Sequence, residues 1–235
     1  EVYQSFGDMG SMNDEVIPYS SMYANQQLIK NIPPRSLLHL ANSNTVRLAN
    51  YFDTQEDVEV YGNRGAHGID GSMSAFIGQA QVTKELAFLI IGDLSFFYDM
   101  NALWNRYVVN NIRILVCNNS GGAIFHTYPN TKNVPTLDEH IAAEHHTSIR
   151  DWTIARGFTY ISASNKEELD RGIKELIKTE SDHPIVLECF TDKEVDADCI
   201  KNILKSYVAE DSSFRHMVGK MIPEDMKQKI KKLIK

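Results

Sequence analysis

Six short apolar runs punctuate this sequence: SLLHLA (36–41), VEVYG (58–62), LAFLIIG (86–92), IRILVC (112–117), FTYIS (158–162) and PIVLECF (184–190). Most are largely apolar rather than strictly alternating, so both faces of each run need cover. Helical patterns separate them. SSMYANQQLIKNI (20–32) is closed by Pro33-Pro34, and NSNTVRLANYF (42–52) has Asn42 or Ser43 at its cap. The glycine-rich loop NRGAHGIDG (63–71) opens onto a small-residue helix reaching about Val82. DMNALWNRYVVN (99–110), a segment ending near Arg156, the amphipathic NKEELDRGIKELIKT (165–179) and DADCIKNILKSYV (196–208) complete the set, with a long loop over 120–146. This alternation predicts an α/β fold, a three-layer parallel sheet of about six strands with helices on both faces. Residues 1–19 read as a linker or the end of a preceding domain, 20–208 as the domain, and 209–235 as a C-terminal tail. IPEDMKQKIKKLIK in that tail has one apolar face, which docks on a protein surface or makes a weak contact with an anionic membrane.

In sheets of this kind ligands bind beyond the carboxyl ends of the strands. The third run ends in Gly92-Asp93-Leu94-Ser95 and the fourth in Asn118-Asn119-Ser120-Gly121-Gly122, with one helix between them. A crossover over that helix brings the two strands together and turns both polar ends into one crevice. A carboxylate from Asp93, an amide oxygen from Asn119 and a carbonyl freed by the Gly121-Gly122 turn make a hard-oxygen set suited to Mg²⁺. SGG and GDLS, both read as turns, add backbone N–H groups for an anion. Each motif taken alone reads equally as a helix cap or a tight turn.

The remaining composition narrows the classes. A net charge of -7 argues against nucleic acid or anionic lipid as a bulk partner, so an anionic ligand needs a local device to hold it. The three cysteines, Cys117, Cys189 and Cys199, form no C-x-x-C pair, and an odd count fits a reducing, cytoplasmic setting. They read as core or surface residues. The central apolar stretch 86–91 is too short to span a bilayer, and no secretory leader opens the chain. Glu1 in place of methionine reads as a piece of something longer. His140, His145 and His146 cluster without a further ligand pair, so they do not read as a metal site.

Gly-Asp followed some 25 to 30 residues later by Asn-Asn resembles the diphosphate and metal motif of thiamine diphosphate enzymes. ANSNTVRLANYF, NRGAHGIDG, GDLSFFYDMNAL and NNSGGAIF, in that order over residues 41–125, resemble the menaquinone-biosynthetic MenD branch of that superfamily. Leu94 departs from the glycine common in the superfamily and agrees with this branch.

The resemblance implies thiamine diphosphate and Mg²⁺ or Mn²⁺ as cofactors. Asp93, Asn119 and the Gly121 carbonyl would hold the metal. Gly92, Leu94, Ser95 and Gly122 would line the diphosphate, with Ile124 and Phe125 near cofactor and substrate. Ile69 would prop the cofactor in its bent shape, while Asn42, Ser43, Arg47 and Arg64 would contact substrate. His67 reads as a structural or solvated loop histidine. The implied reaction decarboxylates 2-oxoglutarate and adds the carbanion to isochorismate, and arginine forks suit such dicarboxylates. The glutamate that activates the cofactor is expected on an N-terminal pyrimidine domain absent from this chain, within a homodimer or homotetramer, so the chain alone is expected to be inactive. A thiamine diphosphate enzyme with other substrates, and a non-catalytic module that binds cofactor or a partner chain, remain open readings.

Overall fold

A computed structural model of the chain describes residues 17–65, 67–128 and 130–202. The expected tail (209–235) and all but the last three residues of the expected linker lie outside them. The described residues up to Ala197 form one compact unit, and those from Asp198 to 202 belong to a second and are helical.

Ser20 starts the first helix, α1 (Ser21–Asn31): its hydroxyl accepts the Tyr23 N–H at 3.2 Å, and Pro33-Pro34 follow the end. The chain then runs β1 (Leu37–Leu40), α2 (Asn44–Ala49), β2 (Glu59–Gly62), α3 (Ser72–Val82), β3 (Ala87–Gly92), α4 (Asp93–Tyr98), β4 (Ile112–Asn118), α5 (Arg150–Ala155), β5 (Thr159–Ala163), α6 (Lys166–Leu176) and β6 (Ile185–Phe190). A further helical stretch starts at residue 193. The six strands form one sheet, all parallel, in the order β2-β1-β3-β4-β6-β5.

The central strands are buried on both faces. Ala87, Leu89 and Ile91 of β3 with Ile112, Ile114 and Val116 of β4 join a core closed by Met73, Phe76 and Ile77 of α3. The alternate residues, such as Leu115 and Leu187, face the other layer. There α6 meets the sheet closely: a Cβ on Gly172 would lie 2.7 Å from Leu187 Cδ1. Gly172→Ala should therefore lower stability by about 1–3 kcal/mol in urea unfolding despite alanine's better helix propensity. At β2 the expected cover fails, since all four of its residues are exposed.

Three segments differ from the sequence reading. The crossover from β3 to β4 was expected as a helix over 99–110 after a GDLS turn. Instead α4 begins at Asp93, directly after the strand, and yields to a 3-10 turn at Met100–Leu103. Beyond that turn, Asn105 keeps helix from resuming over 104–110. Its Nδ2 donates to the Ala102 carbonyl at 2.7 Å and its Oδ1 accepts the Tyr107 N–H at 2.8 Å, diverting the backbone from further helix. The helix expected over 42–52 covers only α2: Ser43 adopts φ 76°, ψ -134° and cannot be helical, and past Ala49 the Tyr51 and Phe52 N–H groups bond back three residues in tighter turns. The expected loop 120–146 contains a 3-10 turn at Ala123–His126 and a π turn at Leu137–Ile141.

Candidate functional site

The parallel register sets Gly92 beside Cys117, so β3 and β4 end level with one another. Asp93 is 3% exposed, and its carboxylate gathers donors from both tips. Oδ1 accepts the Leu94 N–H at 2.6 Å, and Oδ2 accepts the Gly121 N–H at 3.0 Å. His145 Nε2 stands 3.2 Å from the same Oδ2. The Thr147 N–H donates to His145 Nδ1 at 3.1 Å, which puts the ring proton on Nε2 and makes the histidine a donor to Asp93.

The loop after β4 is clamped onto this carboxylate. Gly121 adopts φ 143°, and a Cβ there would lie 2.7 Å from the Ala142 carbonyl oxygen. The Gly122 N–H donates to that oxygen at 2.7 Å, and the His145 N–H donates to the Ser120 carbonyl at 3.1 Å. Residues 142–145 thus fold over the Ser120–Gly122 turn and deliver His145 to Asp93. Ser43 and Ser120 both have positive φ, at 76° and 65°. Such residues cost about 1–3 kcal/mol each and persist where the surroundings hold them.

Asn119 is oriented from behind. Its Nδ2 donates to Asp196 Oδ2 at 2.8 Å, which only the NH₂ end of the amide can do. Its Oδ1 is then buried without a partner. Asp196 also accepts the Ser21 N–H (2.7 Å), the Ser21 hydroxyl (2.5 Å) and the Thr191 hydroxyl (3.0 Å), while burial raises its carboxyl pKa. An orphaned buried acceptor costs about 1–3 kcal/mol, so its persistence points to an absent electropositive partner. Asp93, Asn119 and Gly121 line one cavity, and the Gly121 carbonyl accepts only a 3.2 Å bond from the Ala123 N–H among the described residues. No three His, Cys, Asp or Glu residues converge among the described residues. One carboxylate with neutral oxygens matches a hard cation such as Mg²⁺ or Mn²⁺ rather than zinc.

These groups open onto a cavity of about 450 Å³. Asn42, Ser43, Arg47, Ile69, Gly92, Asp93, Leu94, Ser95, Asn119, Gly121, Gly122, Ile124 and Phe125 all line it. Arg64 does not, but its Nη1 donates to Asn42 Oδ1 at 3.0 Å, and Asn42 Nδ2 donates to the Gly68 carbonyl at 2.8 Å. The Ser95 hydroxyl is committed to the Ile69 carbonyl at 2.5 Å, so it anchors the loop that carries Ile69. Arg47 is exposed and forms no ion pair among the described residues. His67 also lines the cavity, His140 lies 3.9 Å from Glu139, and His146 is exposed. Ser21, Asn25, Cys117 and Tyr128 line it as well and were not picked out from the sequence, nor were Asp196 and the role of His145. Burial lifts the Cys117 thiol far above its ordinary pKa, which leaves it an inert wall.

A family profile described as "Thiamine pyrophosphate enzyme, C-terminal TPP binding domain" matches residues 42–189. The chain belongs to this family. Curated relatives named 2-succinyl-5-enolpyruvyl-6-hydroxy-3-cyclohexene-1-carboxylate synthase agree with it. The one from Bacteroides fragilis is 45% identical over 192 residues, 81% of this chain and 34% of the relative. That from Phocaeicola vulgatus is 46% identical over 186 residues, 79% of this chain and 33% of the relative. That from Christiangramia forsetii is 38% identical over 193 residues, 81% and 33%. The chain spans about a third of the length of the curated relatives it matches. The TPP-binding match contains every site residue picked out from the sequence, whereas Ser21, Asn25 and Asp196 lie outside it. No helix among the described residues is long and apolar enough to cross a membrane.

Proposed function

We propose that this chain is the diphosphate- and cation-binding part of a MenD-type synthase acting on 2-oxoglutarate and isochorismate. The observation that carries the reading is the single buried carboxylate shared by two strand tips beside an orphaned Asn119 oxygen, within a TPP-binding domain. Asp93, Asn119 and the Gly121 carbonyl hold Mg²⁺ or Mn²⁺, which neutralises the diphosphate against an acidic protein. Gly92, Leu94, Ser95 and Gly122 line the diphosphate. Ile69, braced by Ser95, supports the cofactor's bent form, and Ile124 and Phe125 keep water from the reacting end. When bound, thiamine diphosphate supplies the electron sink for decarboxylation and carbon–carbon bond formation.

Arg47 and Arg64 orient the substrate carboxylates through bidentate forks, with Asn42 and Ser43 as neutral contacts. Asn42 sets the Arg64 side chain by accepting its Nη1–H. The glutamate acting on the aminopyrimidine lies on a separate N-terminal pyrimidine domain, in a homodimer or homotetramer. The protein works in the cytoplasm.

The substrate assignment rests on the arginines. In the natural full-length protein, replacing both Arg47 and Arg64 by alanine should lower kcat/KM for 2-oxoglutarate by about 100-fold or more. Thiamine diphosphate affinity with Mg²⁺ should change little. Undiminished turnover of 2-oxoglutarate in the double variant would remove the MenD assignment.

A further inference from the structure

We infer that Lys193, which lies beyond the residues that match the family, is a positioning residue for the cation site: through Asp138 and Glu144 its ammonium holds the Ala142–His145 clamp and the Ala123–His126 turn in place. The inference rests on the cation site proposed at Asp93. Lys193 Nζ stands 2.8 Å from Asp138 Oδ1 and 2.7 Å from Glu144 Oε1. Its side chain is 20% exposed, so the ammonium is shared by two carboxylates in a mostly covered place. That sets it apart from a lone surface ion pair, which contributes little.

Each carboxylate leads to one wall of the cavity. His126 Nε2 lies 2.9 Å from the same Asp138 oxygen, and His126 ends the turn that carries Ile124 and Phe125. Glu144 precedes His145, whose Nε2 stands 3.2 Å from Asp93 Oδ2. Ala143 joins Glu144 to Ala142, the acceptor of the Gly122 N–H, and it has φ 49°. A left-handed alanine is unfavourable and persists where its surroundings hold it. Lys193 is also poorly placed for its own helix. Asp192 Oδ1 accepts the Glu194 and Val195 N–H groups at 2.8 and 3.0 Å and caps the helical stretch that starts at 193. A cation in that first turn opposes the helix dipole, so local structure gains nothing from it. The gain lies in the pairing with Asp138 and Glu144. Three residues further on, Asp196 accepts from Asn119. One short segment after β6 thus steadies both the clamp over Gly121–Gly122 and the Asn119 side chain.

Two carboxylates gathered round one ammonium repel each other once it is gone, and this gives the test a change of sign. The natural full-length protein is titrated calorimetrically with thiamine diphosphate at saturating Mg²⁺. Lys193→Met should weaken binding about fivefold, and Lys193→Arg, which keeps the charge, should stay within about twofold. Glu144→Gln should weaken binding in the unaltered protein but tighten it in Lys193→Met, where it removes the repulsion and lets an amide donate to Asp138. Without cofactor, backbone hydrogen exchange over 142–145 should be about fivefold faster in Lys193→Met, with β3 and β4 unchanged. Faster exchange throughout the sheet would mark a general loss of stability and overturn the positioning role. Equal affinity in Lys193→Met and the unaltered protein, with binding lost in Asp93→Ala, overturns the role of Lys193 and leaves the cation site standing. Glu144→Gln that weakens both backgrounds alike overturns it too. If Lys193→Met does not fold, Lys193→Gln against Lys193→Arg decides, and equal affinity in that pair overturns the inference. Unchanged affinity in Asp93→Ala overturns the site itself, and the inference with it.

Discussion

Asp93→Ala should abolish cation-dependent binding of thiamine diphosphate, with a loss of about 100-fold or more in calorimetric affinity at saturating Mg²⁺. Asp93 is the only charged group among the three proposed ligands, so its removal leaves amide and carbonyl oxygens that bind Mg²⁺ feebly in water. The same change strips the partner from the Leu94 and Gly121 N–H groups and from His145 Nε2. Leaving such donors unmatched in a buried site should lower stability by about 2–4 kcal/mol. Asp93→Asn separates the two effects. It keeps the shape but places an NH₂ against one of those donors, so it should retain a folded core and still lose the cation. Equal affinity for the cofactor in Asp93→Ala and the unaltered protein, with and without Mg²⁺, would show that the metal is held elsewhere.

Gly121→Ala should be the most damaging single-methyl substitution in the site. The backbone there has φ 143°, which side chains rarely tolerate, and the added carbon would lie 2.7 Å from a main-chain oxygen, that of Ala142. Main chain cannot swing aside as a side-chain tip does, so the turn must open and release the Ala142–His145 clamp. A loss of about 2–4 kcal/mol in stability is expected, with cofactor affinity down at least about tenfold. Gly122→Ala is the comparison. Its added carbon would meet the half-buried Phe125 ring at 2.9 Å, a side chain rather than main chain, and the Ala142 carbonyl oxygen only at 3.3 Å. The effect should be clearly smaller, in both a denaturation curve and a cofactor titration. Similar losses in the two variants would mean that the clamp does not govern the site.

The sheet was legible because its signal is local. Short, largely apolar runs such as Ala87–Gly92 and Ile112–Asn118, alternating with helical patterns, read as strands buried on both faces, and the polar ends of both emerge together. The crossover was less legible, since the side-chain bonds of Asn105, which keep helix from resuming after the 3-10 turn, leave no mark in the hydrophobic period. Partners of the site were hidden by distance along the chain. His145 meets Asp93 across 52 residues, Asp196 meets Asn119 across 77, and Ser21 reaches Asp196 across 175. No window of sequence contains both members of such pairs. His145 was visible only as one of three clustered histidines, and what separates it from His140 and His146 is the fold of the loop over Ser120. Arg64 shows the reverse case: the motif that contains it was plain, yet its side chain reaches the cavity lining only through Asn42.

The most direct measurement is anomalous diffraction from crystals of the natural protein grown with thiamine diphosphate and Mn²⁺. One strong peak should appear bonded at about 2.1–2.3 Å to oxygens of Asp93, Asn119 and the Gly121 main chain, with the diphosphate beside it. A fully occupied cofactor whose metal lies away from those three oxygens would contradict the account.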